Sequence, residues 1–158
     1  MLDFISNNAG LLMGGTGGGI VLYMLKKIPN EDICAWVEGI CFRLGKLYLY
    51  HGHQYGGQYH TSNHLRKLGC NVMYGHWHDL QQMSATHMDG PKSAWSIGCL
   101  KDMAAEANDW LDHRRINWAH AFAIVDFFRG GLFTVHIIQI INGKTSLWGE
   151  IIDGNGKC

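Results

Sequence analysis

Residues 47–79, LYLYHGHQYGGQYHTSNHLRKLGCNVMYGHWHD, decide how the chain reads. Two histidine clusters stand in this stretch, His51-Gly52-His53 and Gly75-His76-Trp77-His78. Each comes after a short apolar run with the look of a strand, residues 47–50 and then 72–74. Residues 60–68 between them read as a helix. The order is strand, loop, helix, strand, loop, with imidazoles at both strand exits. In open α/β sheets ligands bind beyond the carboxyl ends of parallel strands. Two such loops on neighbouring strands can aim three imidazoles at one point, and imidazole suits zinc, iron, manganese and nickel.

Outward from this stretch the chain is uneven. The bulk of its 158 residues fits one domain, or a small domain with an appendage. Lys+Arg 13 balance Asp+Glu 13, so there is no basic excess for gripping nucleic-acid phosphates. A hydrophobic content of 47% supports a packed core. The ten histidines are the compositional oddity, and all lie between His51 and His136. Five scattered cysteines, none in a CxxC pair, point to reduced thiols and a cytoplasmic setting rather than a disulfide framework.

Residues 1–45 look unlike the remainder of the chain. Residues 9–25 carry no charge and hold the run Gly14-Gly15-Thr16-Gly17-Gly18-Gly19. Their overlapping GxxxG spacings would let two apolar helices approach closely. With residues 4–8 added, the stretch reaches the ~20 residues of a membrane crossing. It therefore reads equally as a membrane anchor through residues 4–27 or as a glycine-rich leader, since glycine is a poor helix former in water. A phosphate loop is excluded, because no lysine stands after the glycines at the required spacing. Asn30 then caps an expected amphipathic helix that buries Ile33, Val37, Ile40, Cys41 and Leu44 and closes at Gly45.

From Lys46 onward the chain reads as α/β. Residues 80–88 and 94–100 are expected strands, with a turn at Asp89-Gly90-Pro91, and residues 101–110 a helix or helical turn. Residues 118–128 and 132–141 flank Arg129-Gly130-Gly131 as a hairpin. Asn142-Gly143 signals a type I′ turn before a strand over 145–152. A parallel front and antiparallel back suit one half of a two-sheet sandwich, whose bare face needs a covering partner such as a second copy of the chain.

The residues Tyr50-His-Gly-His53 and Tyr74-Gly-His-Trp-His-Asp79 resemble the last two metal motifs of the calcineurin-like metallophosphoesterases, phage-type members in particular. The segments at 96–100 (SIGCL) and 117–120 (NWAH) are similar to that family's later half, and the resemblance spans about residues 46–154. It implies an α/β fold, a partial metallophosphoesterase-type β-sandwich with flanking helices, preceded by the apolar N-terminal segment. It implies hydrolysis of phosphomonoesters or phosphodiesters at a dinuclear centre of Mn, Ni, Zn or Fe. By motif position His51 and His76 would bind one metal and His78 the other, although His51 and His53 could exchange roles. His53 and His120 would face substrate or support the ligands from behind, while Asp79 and Tyr50 would orient imidazoles from behind.

The family's Asp-x-His, Gly-Asp-x-x-Asp and Gly-Asn-His-Asp motifs do not occur in the chain. Three histidines alone would hold one ion better than two. The domain therefore reads as the later half of such an enzyme, joined near Gly45 to an unrelated segment resembling a small phage membrane protein. The competing reading is a non-catalytic membrane-associated or interaction protein with inherited histidine loops. His60 and His64, four apart on one helix face, form a weaker HxxxH candidate. His87, His113 and His136 read as ordinary histidines.

Overall fold

The computed structural model describes residues 10–16, 19–25, 41–102, 106–111 and 116–154, the first two of these as backbone. Among the described residues, eleven strands and one α-helix run in the order β1 (Gly10–Thr16), β2 (Gly19–Leu25), β3 (Cys41–Leu44), β4 (Leu47–Tyr50), α1 (His60–Leu68), β5 (Asn71–Tyr74), β6 (Leu80–His87), β7 (Gly90–Ile97), a 3-10 turn (Glu106–Leu111), β8 (Ala121–Phe127), β9 (Phe133–Gln139), β10 (Lys144–Leu147) and β11 (Glu150–Asp153). The fold is mixed α/β and mostly sheet.

Five strands form one sheet in the order β3-β4-β5-β7-β6. Its centre is parallel, β4 with β5 and β5 with β7, and both flanks are antiparallel. The alternation of side chains along these short strands divides them between two faces. Leu47, Leu49, Met73, Trp95 and Ile97 point one way, into a core shared with Ala123 and Val125 of β8 and flanked by Phe133, Val135 and Ile137 of β9. Tyr50, Val72, Tyr74 and Ala94 point the other way, where Leu65 of α1 packs on them. Leu65 is 1% exposed. Burying it stabilises the seat of α1 by about 2 kcal/mol.

The helix ends where the sequence says it should. Gly69 adopts φ +61 and its N–H reaches the Leu65 carbonyl at 2.9 Å, a left-handed cap that a side chain would strain. Arg66 and Lys67 lie in the last turn, where positive charge suits the helix dipole. The chain then re-enters the sheet at β5, completing a strand–helix–strand unit that brings the exits of β4 and β5 side by side.

Several expectations need correction. The apolar stretch expected as a helix or leader forms strands β1 and β2 instead, paired antiparallel from Gly10↔Leu25 to Thr16↔Gly19. β1 also pairs with β8, Leu11 opposite Val125. Glycine's low helix propensity disfavours the helix, and the two neighbouring ladders satisfy the backbone without one. The expected amphipathic helix ending at Gly45 is likewise replaced at its end. Cys41–Leu44 is strand β3, with Leu44 opposite Leu47 across a turn at Gly45 and Lys46; residues 26–40 lie outside the described residues. Among the described residues no helix is long and apolar enough to cross a membrane.

The bare face expected of a half sandwich carries the second sheet, ordered β2-β1-β8-β9. The β8–β9 hairpin matches its expectation, as does β6, while β7 starts at Gly90 and stops at Ile97. Asn142 and Gly143 take φ +50 and +75, as a type I′ turn requires. The single strand expected over 145–152 is two, β10 and β11, because Trp148 and Gly149 also turn with positive φ, +53 and +86. Tryptophan at such a φ gives no warning in the sequence.

Candidate metal centre

β4 ends at Tyr50 and β5 at Tyr74, so the two histidine loops leave adjacent parallel strands at the same end of the sheet. They are stitched together by backbone and side chain. The His76 N–H donates to the His51 carbonyl at 3.0 Å, and the Trp77 indole Nε1–H donates to the Gly52 carbonyl at 3.2 Å. Gly52, at φ +96, lies so close to the Tyr74 ring that a Cβ there would come within 2.5 Å of it. Only glycine lets the first loop sit on the second strand.

This stitching brings two imidazoles together. His76 Nδ1 and His51 Nε2 are 2.7 Å apart, with ring centroids at 4.6 Å and planes at 72°. Two facing ring nitrogens at that distance share one hydrogen, one ring donating and the other accepting. His53 is exposed and stands beside the pair, its centroid 5.7 Å from His51 and 6.1 Å from His76. His76 is held below its ordinary pKa, first by burial and then by repulsion from His51, His53, His78 and His60. His78 is held low by burial, then by Lys101 and His51, against an opposing pull from Asp79. Both conditions favour the neutral imidazole that a metal needs.

His78 itself turns elsewhere. Its ring lies edge-on to Trp118 at 4.8 Å, and its backbone takes φ +60, a conformation uncommon for a non-glycine residue. Lys101 reaches over the same Trp118 ring at 5.7 Å and donates to Asn108. His120 is placed nearby through the backbone. Cys99 bridges to His120, and the adjacent Ala119 N–H donates to the His78 carbonyl at 2.8 Å. Among the described residues no three of His, Cys, Asp or Glu gather closely enough around one point to hold an ion. Of the three expected ligands, His51 and His76 lie within hydrogen-bond distance of each other, and His78 packs against Trp118.

Asp79 and Tyr50 do orient imidazoles, but not those of the two loops. Asp79, 6% exposed, accepts from His60 Nε2 at 3.0 Å, from Ser96 Oγ at 2.7 Å and from Gln81 Nε2 at 2.7 Å. Because a carboxylate only accepts, His60 carries its hydrogen on Nε2, which leaves Nδ1 to accept from the Tyr74 hydroxyl at 2.7 Å. Tyr50 bonds through its hydroxyl to His64 Nδ1. His64 is fully buried, and its Nε2 finds no hydrogen-bond partner. Burial, reinforced by His60, pushes its pKa down to about 4 despite the carbonyls of Tyr55 and Gly52 nearby. Burial likewise drives both tyrosine hydroxyls upward, so they remain protonated donors.

The rings of His60 and His64 are 6.2 Å apart at 89°, and each bonds to a different tyrosine. The signal for this buried network is a tyrosine closing each strand and the HxxxH pair between them. It becomes readable only once β4 and β5 are known to lie side by side under α1. No protein-family model matches the chain, and no curated protein matches it.

Proposed function

We propose that this protein supplies the histidine-bearing part of a metallophosphoesterase-like site and acts on phosphomonoesters or phosphodiesters. His51 and His76 would hold a divalent ion of the Mn, Ni, Zn or Fe class, with His78 as the third imidazole of the same loop pair. The observation that carries this reading is the convergence of His51 Nε2 and His76 Nδ1 at the exits of two adjacent parallel strands. A bound ion of this kind polarises a phosphoryl oxygen and lowers the pKa of water.

The chain's own groups have distinct parts in this reading. His53, exposed beside the pair, offers a hydrogen bond or a proton to substrate. Lys101 and Trp118, against His78, give one cation and one aromatic wall to the same end of the sheet. Gly52 and Trp77 keep the two loops in register.

The test is Mn²⁺-dependent hydrolysis of a chromogenic phosphodiester, with His76→Ala alongside. Turnover that disappears in the variant is the expected result. Equal background in both proteins would replace this reading with that of a non-catalytic protein carrying inherited histidine loops.

A further inference from the structure

His60 grips the second histidine loop from three sides. It projects from the first turn of α1 and is 2% exposed. Its Nε2–H holds Asp79, its Nδ1 takes the hydroxyl of Tyr74, and its ring stacks on Trp77 at 5.1 Å and 21°. One helix side chain therefore fixes the residue before the loop, the residue inside it and the residue that ends it. His78 lies between Trp77 and Asp79, the two residues held most directly. It also takes a left-handed backbone, φ +60.

His78 has less support of its own. Its N–H reaches the Gly75 carbonyl at 3.3 Å, a long bond, and its carbonyl accepts from Ala119 at 2.8 Å. The His51–His76 pair, by contrast, is secured without His60 by the bond from the His76 N–H to the His51 carbonyl at 3.0 Å. A non-glycine residue persists in a left-handed conformation only when its surroundings over-determine it. Here the surroundings are Trp77 and Asp79: Gly52 also holds the first, and Ser96, Gln81 and the Gly98 N–H also hold the second, but His60 touches both.

We infer that His60 is a positioning residue that sets the left-handed turn at His78, and with it the direction of the His78 imidazole, while leaving the His51–His76 pair in place. The consequence for metal binding rests on the proposed role of His78 as a ligand; the grip on the loop does not. The tautomer is dictated by the partners: Nε2–H toward Asp79, Nδ1 bare toward Tyr74. Glutamine can place an amide nitrogen near the position of Nε2, whereas asparagine falls short of Asp79.

The experiment compares the full chain with His60→Gln and His60→Asn by three readouts. These are imidazole tautomers by nitrogen–proton NMR, amide exchange at Trp77, His78 and Asp79, and the visible absorption of added Co²⁺. The expected result is an Nε2–H tautomer at His60 in the unaltered chain. In His60→Asn the three loop amides exchange faster, and Co²⁺ affinity falls about 10- to 100-fold with a changed absorption band, as loss of an orienting partner does elsewhere. His60→Gln restores most of both. An Nδ1–H tautomer, or unchanged loop exchange in His60→Asn, overturns the inference. If the unaltered chain takes up no Co²⁺, the metal reading fails, and loop exchange alone decides the role of His60. Should His60→Asn not fold, the tautomer and His60→Gln decide it: a Gln variant whose loop exchanges as freely as an unprotected segment overturns it.

Discussion

Two groups of histidines meet at Trp77, whose ring stacks on His60 and lies edge-on to His76, and they are built to opposite ends. In the loop group, His51, His53 and His76 are at least partly open to solvent, their rings lie beside one another, and His51 bonds directly to His76. In the helix group, His60 and His64 are buried, and each faces a tyrosine hydroxyl, with a carboxylate completing the first. An imidazole facing imidazoles has lone pairs to offer an ion. An imidazole bound to hydroxyl and carboxylate has spent its donors on the fold. Histidine content alone would not separate these uses; the identity of each ring's partner does.

Gly52 joins the two groups, and substituting it gives the largest expected effect. Gly52→Ala would press a Cβ into the Tyr74 ring and force alanine to φ +96. The expected cost is about 3 kcal/mol, from overpacking plus the left-handed penalty. Gly69→Ala separates the two causes, because its φ is +61 but nothing lies within 4 Å of the added carbon. It should cost about 1 kcal/mol. Urea denaturation of both variants measures the difference, and equal losses would show that the contact with Tyr74 is unimportant.

The buried group should make the protein acid-sensitive. His64 titrates at about 4 in the fold, against an ordinary value of 6.5, so the unfolded chain binds the proton more readily. Stability should be complete above pH 6.5 and decline as pH falls toward 4, by up to about 3 kcal/mol. Replacing both partners by apolar groups, as in Tyr50→Phe with His64→Leu, should flatten this window without leaving a new orphaned polar atom. A stability profile that keeps the same slope in the double variant would remove His64 as its cause.

A third kind of histidine sets the baseline. His136 meets Asp126 at 3.1 Å with both side chains about a third exposed. Such a pair contributes little, so His136→Ala should change stability by less than about 1 kcal/mol. It should leave metal uptake untouched. A larger loss would mean that the edge contact between His136 and Trp148 carries the β10–β11 hairpin.

Much of the site's framework is legible in the sequence because it depends on local pattern. Short apolar runs mark β4 and β5, and Gly69 shortly after Lys67 marks the end of α1. The HGH and GHWH loops can be placed at strand exits from order alone. The partners are not legible, because they depend on which strands become neighbours. Asp79 comes directly after His78 in the chain and is expected to serve the loop group, yet its carboxylate bonds to His60 of α1. His78 is expected beside His76, but its positive φ carries the ring to Trp118. The strands over 10–16 and 19–25 escape the sequence for a different reason. A glycine-rich apolar run carries no alternation to read, and its state is set by the edge of β8 that accepts it.

The most direct test of the histidine site is an NMR titration of the full chain with Zn²⁺, tracking the ring signals of individual histidines. The expected result is uptake with His51 and His76 shifting together, abolished by His76→Ala, while His64 keeps its signals. No uptake, or uptake centred on His60 and His64, would contradict the division between the loop and helix groups.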